Sequence, residues 1–132
     1  MYEETVRIIK LREKSILMLN EVKSMLDKWG VNYWLDFGTL LGAIREGKSI
    51  PWDGDYDLST LDIDVHKKKD LWNELISKGY NVDIEYANIK ITKNDWKIGH
   101  YRIDLHRLRI NRKNDVEYAY GGIYKNKINQ YL

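Results

Sequence analysis

From Thr5 to Trp29 the chain carries neither glycine nor proline, and Leu19, Val22, Leu26 and Trp29 recur at steps of three and four. That length and period predict a long helix with one buried face, which Gly30 stops. Val31 to Phe37 is rich in β-branched and aromatic residues and reads as a strand, after which Gly38 and Thr39 open a short helical run through Arg45. Gly47 and Pro51 mark a loop. The alternation from Asp55 to Leu61 then predicts a second strand with Asp55, Asp57 and Ser59 on one face.

Leu71, Trp72, Leu75 and Ile76 form a second apolar helical stripe, with a start expected between Asp62 and Asp64 and a stop at Gly79. Val82, Ile84 and Tyr86 alternate, as do Ile89 and Ile91, and Ala87-Asn88 reads as the hairpin turn between them. A longer alternation from His100 to Ile110 sets Ile103 and Leu105 on one face and Arg102, Asp104 and His106 on the other. Asn111 to Asp115 is a turn, Val116 to Tyr120 a last strand, and Gly121-Gly122 leads into a polar tail.

A chain of 132 residues suits one domain, residues 1–132, and its 43% hydrophobic and 32% charged residues are those of a folded protein. The net charge of +2 gives no bulk reason to expect nucleic acid or a membrane surface as partner. Without cysteine, thiolate zinc sites and thiol nucleophiles are excluded, so any metal must sit on oxygen or imidazole. Glu3, Glu4, Arg7 and Lys10 interrupt the apolar residues of the N-terminus, which predicts no signal peptide, no membrane span and cytoplasmic residence.

The densest chemical signal is Asp36 to Leu58, DFGTLLGAIREGKSIPWDGDYDL. A strand that ends in Gly38-Thr39 and opens a helix offers backbone N–H groups to phosphate oxygens, with Arg45 as an added positive charge. Asp55 and Asp57, on one strand face, suit divalent cations held against the same phosphate group. Taken singly, a glycine turn is common and a run of aspartates is usually a solvated loop; it is their conjunction that points to phosphate chemistry. Asp53, Asp55, Asp57 and Asp64 also imitate a calcium loop, but Leu58 stands where that loop needs glycine, and Asp64 where it needs a bidentate glutamate.

The stretch from Tyr33 to Leu58, with GTLLGAIREG, then IPWD and two further aspartates at alternate positions, resembles the LicD and fukutin-type phosphotransferases of the nucleotidyltransferase superfamily. That superfamily's pattern is a Gly-Ser or Gly-Thr turn, two acidic residues around one apolar residue on the next strand, and one acidic residue on a later strand. The positions that match are Gly38-Thr39, Asp55 and Asp57 around Tyr56, and Asp104 between Ile103 and Leu105. The implied fold is α+β, a small mixed sheet backed by helices. Gly54 departs from the family, which usually carries another aspartate in its IPWDDD run, and members commonly extend well past the third carboxylate, whereas 28 residues follow Asp104 here. A minimal, truncated or partner-dependent enzyme is therefore the expectation.

The resemblance implies transfer of a phospho-alcohol, such as phosphocholine or ribitol phosphate, from a CDP-linked donor to a glycan hydroxyl. Asp55, Asp57 and Asp104 would hold one or two Mg²⁺ ions, or Mn²⁺, and Asp104 would also accept the acceptor's proton. Gly38, Thr39 and Arg45 would bind donor phosphate. Three carboxylates so close repel one another, so one of them is expected to titrate high without metal. Asp36 reads as structural, Pro51, Trp52 and Asp53 as shaping the loop, with an outer partner of a metal ligand as the alternative for Asp53, and His100 and His106 as bystanders; the tryptophans and tyrosines mostly fit core and sheet positions, with base stacking the alternative for Tyr33 or Trp52. Two other functions fit the same residues: nucleotidyl transfer from an NTP to a hydroxyl, and an inactive module that binds a nucleotide or a partner protein.

Overall fold

The first helix, α1, runs Tyr2–Lys28 in the computed structural model, which describes residues 2–36, 55–85, 88–97 and 99–119. Its buried stripe passes through Ser15, Met18, Val22 and Leu26. Leu19 and Trp29, expected at the centre of that stripe, pack at its margin together with Leu11 and Met25. The helix ends as its glycine predicts. Gly30 takes φ +71°, its N–H donates to Asp27 O at 3.1 Å, and Val31 N–H donates to Leu26 O at 2.9 Å. This pair of bonds satisfies two of the last carbonyls and folds Val31 back onto Leu26 in the core.

The second helix, α2, spans Lys69–Ser77 and is preceded by a 3₁₀ turn at Val65–Lys67. The expected start at residues 62–64 is therefore too early. Asp62 N–H donates to Thr60 Oγ1 and Asp64 N–H to Asp62 Oδ1, so the side chains of Thr60 and Asp62 stabilise a turn rather than cap a helix. Trp72 Nε1 donates to Val65 O at 3.0 Å and fastens the turn to the helix. Leu71, Trp72 and Leu75 are buried, whereas Ile76, expected in the stripe, is 50% exposed. Gly79, at φ +96°, closes α2 as Gly30 closes α1, with Tyr80 N–H donating to Leu75 O.

The described strands are β1 (Trp34–Leu35), β2 (Asp55–Thr60), β3 (Asn81–Ile84), β4 (Asn88–Asp95), β5 (Gly99–Ile110) and β6 (Val116–Tyr118). They form a mixed sheet in the order β1-β2-β5-β4-β3, with β6 also paired to β5. Only β2 and β5 run parallel. The first strand is shorter than Val31–Phe37: only Trp34 and Leu35 pair with β2, and Phe37 lies outside the described residues. Asn88, read as part of a turn, is the first residue of β4 and pairs across to His106.

Alternation along the strands sends Tyr56, Leu58, Ile89, Ile91, Tyr101, Ile103 and Leu105 to one face, where they join Met18, Val22 and Leu26 of α1 and Leu71, Trp72 and Leu75 of α2 in one core. Each such side chain stabilises by roughly 1.5–3 kcal/mol when fully buried, while exposed ion pairs such as Arg7–Glu4 add little. Burial on this face therefore sets the architecture, an α+β fold with helices on one side of a mixed sheet. Among the described residues no helix is long and apolar enough to cross a membrane.

Candidate active site

Because β2 and β5 are parallel neighbours in register, Asp57 sits directly beside Asp104, Asp55 beside Arg102 and Ser59 beside His106. On the far side of β5, Lys90 pairs with Asp104 and Asn88 with His106. Paired residues share a face, so these side chains all stand on the side of the sheet opposite α1 and α2. The alternation that fills the core with Tyr56, Leu58, Ile103 and Leu105 is what gathers the carboxylates on the other face.

Each acid there meets a cation or a donor. His106 Nε2 lies 3.0 Å from Asp57 Oδ1, with the His106 ring edge-on to Tyr118 at 6.2 Å between centroids. Arg102 reaches two acids, with Nε 3.2 Å from Asp104 Oδ2 and Nη2 3.6 Å from Asp55 Oδ2. Asn88 Nδ2 donates to Asp104 Oδ1 at 3.2 Å. Asp104 is buried, Asp57 half-buried and Asp55 exposed. Burial pushes the Asp104 carboxyl above the ordinary aspartate range; Arg102 opposes that shift and Asp57 adds to it. One carboxyl does titrate high, as expected, but with desolvation ahead of repulsion between acids as the cause.

Asp36 braces the site from the β1 side of the same face. It is buried, accepts from Ser59 Oγ at 2.6 Å and Trp34 Nε1 at 3.2 Å, and its N–H donates to Asp57 O at 2.9 Å. These bonds tie the end of β1 to the strand that carries Asp55 and Asp57. Tyr33, one of the two rings considered for base stacking, packs against the core. Gly38, Thr39 and Arg45 lie outside the described residues, as do Pro51, Trp52, Asp53 and Gly54.

Sequence reasoning passed over three residues that touch the acids. His106, read as a bystander, faces Asp57; Arg102 bridges Asp55 and Asp104; Asn88 reaches Asp104 from the neighbouring strand. The signal for the first two was present, since the alternation that aims Asp104 aims residues 102 and 106 the same way. Asn88 was concealed because an asparagine between two apolar runs has the composition of a turn.

Among the described residues no three His, Asp or Glu side chains stand together as a ready metal cage. Magnesium does not require one, because it is usually held by one or two carboxylates together with substrate phosphates and water. Asp57 and Asp104, hard oxygen donors on adjacent strands, fit that requirement, with Asp55 two residues away on the same face. The donor set therefore suits Mg²⁺ or Mn²⁺ better than a thiophilic metal.

The family described as LicD/FKTN/FKRP, nucleotidyltransferase domain, matches residues 30–126. The lipopolysaccharide cholinephosphotransferase LicD of Haemophilus influenzae is 31% identical over 78 residues, covering 57% of this chain and 29% of LicD. The human ribitol 5-phosphate transferase FKRP is 52% identical over 44 residues, covering 33% of this chain and 9% of FKRP. The chain thus spans less than a third of the length of these two relatives. In shape, the lincosamide antibiotic adenylyltransferase LnuA, solved with lincomycin bound, aligns over 81% of this chain and 62% of its own at TM-score 0.45 and 18% identity. With the family match running from the end of α1 past Asp55, Asp57 and Asp104, this chain belongs to the LicD/FKTN/FKRP nucleotidyltransferase-domain family.

Proposed function

We propose that the protein transfers a phospho-alcohol group, of the phosphocholine or ribitol phosphate kind, from a CDP-linked donor to a hydroxyl of a glycan. One observation carries the reading: two carboxylates, Asp57 and Asp104, are register partners on adjacent parallel strands, on the face away from the core. LicD is a cholinephosphotransferase and FKRP a ribitol 5-phosphate transferase, which supports this transferred group over a nucleotidyl group.

In the proposed reaction the acceptor oxygen bonds to the phosphorus that carries the alcohol, the P–O bond to CMP breaks, and CMP leaves with the electron pair. Asp55, Asp57 and Asp104 would hold Mg²⁺, or Mn²⁺ in its place, which supplies charge neutralisation at the diphosphate. Asp104 would also take the acceptor's proton. His106 orients Asp57. Gly38, Thr39 and Arg45 remain the proposed phosphate contacts on the donor side.

The test is product analysis. Incubation with Mg²⁺, a glycan acceptor and either CDP-choline or CDP-ribitol should release CMP, and Asp57→Ala should lower the rate about a thousandfold or more. Pyrophosphate released from CTP or ATP, with no CMP from the CDP-alcohols, would replace the reading with nucleotidyl transfer. Nucleotide binding that needs no metal and survives Asp57→Ala, without turnover, would indicate a binding module.

A further inference from the structure

Arg102 and His106 of β5 between them contact Asp55, Asp57 and Asp104, and Arg102 reaches two of these acids. Neither of its contacts is a good hydrogen bond. The distance to Asp55 is 3.6 Å, and the buried Nε–H, although 3.2 Å from Asp104, finds no aligned acceptor among the described residues. A guanidinium carries five N–H donors in a rigid plane, so toward the described residues Arg102 has its hydrogen-bonding capacity largely unspent. Its side chain is 35% exposed, on the strand face that carries Asp55, Asp57 and Asp104.

Arginine and a divalent cation compete for the same carboxylate oxygens. When Asp55 and Asp104 turn to a metal ion, the guanidinium beside them loses its counter-charges and meets a like charge. The arrangement that restores balance brings an anion to Arg102, and a diphosphate lying on the same metal offers two sets of oxygens matched to the guanidinium fork.

We propose that Arg102 is a donor-binding residue, which pairs with Asp55 and Asp104 in the metal-free protein and with the diphosphate of the nucleotide donor once a divalent cation occupies the carboxylates. This rests on the transferase reading above and adds to it a phosphate contact from β5, separate from Gly38, Thr39 and Arg45. The exchange makes metal and donor binding mutually supportive, since each provides what the other displaces.

The test uses Arg102→Gln and Arg102→Lys, with Mn²⁺ affinity read by electron paramagnetic resonance without nucleotide, and CDP and cytidine affinity read by calorimetry with Mg²⁺. Arg102→Gln should bind Mn²⁺ about three- to tenfold tighter, because a competing unit charge is removed. With Mg²⁺ it should bind CDP about tenfold or more weakly, with cytidine unaffected. Arg102→Lys keeps the charge and serves as the variant least disturbing to the fold; it should hold Mn²⁺ as the wild type does yet still bind CDP more weakly, for want of the fork. A merely structural role would weaken metal and nucleotide together, and a merely electrostatic one would spare CDP in Arg102→Lys. CDP affinity within about twofold of wild type in both variants overturns the assignment. If the wild type turns over CDP donors while the variants keep their CDP affinity, only the Arg102 assignment falls. If the wild type binds neither Mn²⁺ nor CDP, the transferase reading falls with it.

Discussion

At Asp104 the proposed function and stability pull in opposite directions. Its carboxyl is buried between Asn88, Arg102 and Asp57, and burial holds its proton affinity above that of an ordinary aspartate. The folded protein therefore keeps this proton to higher pH than the unfolded chain does. Between the two titrations the native state binds more protons, so this group's stabilising contribution is full below the unfolded value and is lost as pH rises through the folded one. Asp104→Asn, which resembles the protonated acid, should accordingly melt at a higher temperature than wild type at neutral pH. The gap should narrow as the solution is made acid, and the CMP release proposed above should be absent in the variant. Melting curves of both proteins across mildly acid to neutral pH check this; a variant less stable than wild type at neutral pH would show that the Arg102 pairing outweighs the burial. Such a gain from removing a functional acid is the usual mark of a site kept at a cost to the fold.

At the scale of elements, what the chain disclosed in advance depended on whether local pattern or tertiary contact sets the outcome. The strand from residue 100 to 110 was legible because apolar Tyr101, Ile103 and Leu105 alternate with polar neighbours through His106, and that stretch located Asp104; the phase changes at Arg107, after which buried Leu108 takes the other parity. The two helix stops were legible because Gly30 and Gly79 take a left-handed φ that other residues adopt at a cost. The start of α2 was not, because Asp62 and Asp64 have the composition of caps, yet the Asp62 carboxylate accepts from Asp64 N–H in a turn and neither caps the helix. Nor were the partners of the acids, since whether His106 faces solvent or Asp57 depends on strand order, which no local signal records. Helix α1 shows the same division: the period was clear, but the deepest positions are Met18, Val22 and Leu26 rather than Leu19. Leu26→Ala should lower the unfolding free energy by about 2–5 kcal/mol, and Leu17→Ala, at a position 62% exposed, by less than about 0.5 kcal/mol. Urea unfolding of the two variants decides it: comparable losses would mean that the face carrying Leu17 is covered.

For the molecule as a whole, the decisive fact is that site and core are two faces of the same strands. In β2, Asp55 and Asp57 alternate with buried Tyr56 and Leu58; in β5, Arg102, Asp104 and His106 alternate with buried Ile103 and Leu105. The inner face joins α1, α2 and the sheet in a single cluster of buried side chains. The carboxylate rows therefore cannot come apart while that cluster stays packed, and the cluster cannot loosen without disordering the rows. A ligand held on the outer face should stabilise every element at once rather than one lobe. For a donor present with Mg²⁺ at a hundredfold over its Kd, the gain is about 2.7 kcal/mol, or roughly 10 °C in Tm for a chain of this size. Helical circular dichroism, which includes α1 and α2, and tryptophan fluorescence, which includes buried Trp72 and Trp34 beside Ser59, should show one coincident transition with and without ligand. Mg²⁺ and CDP should move both probes together, and in Asp57→Ala should move neither. If fluorescence shifted and the helical signal did not, the outer face would be responding apart from the core, and the coupling through β2 and β5 would be refuted.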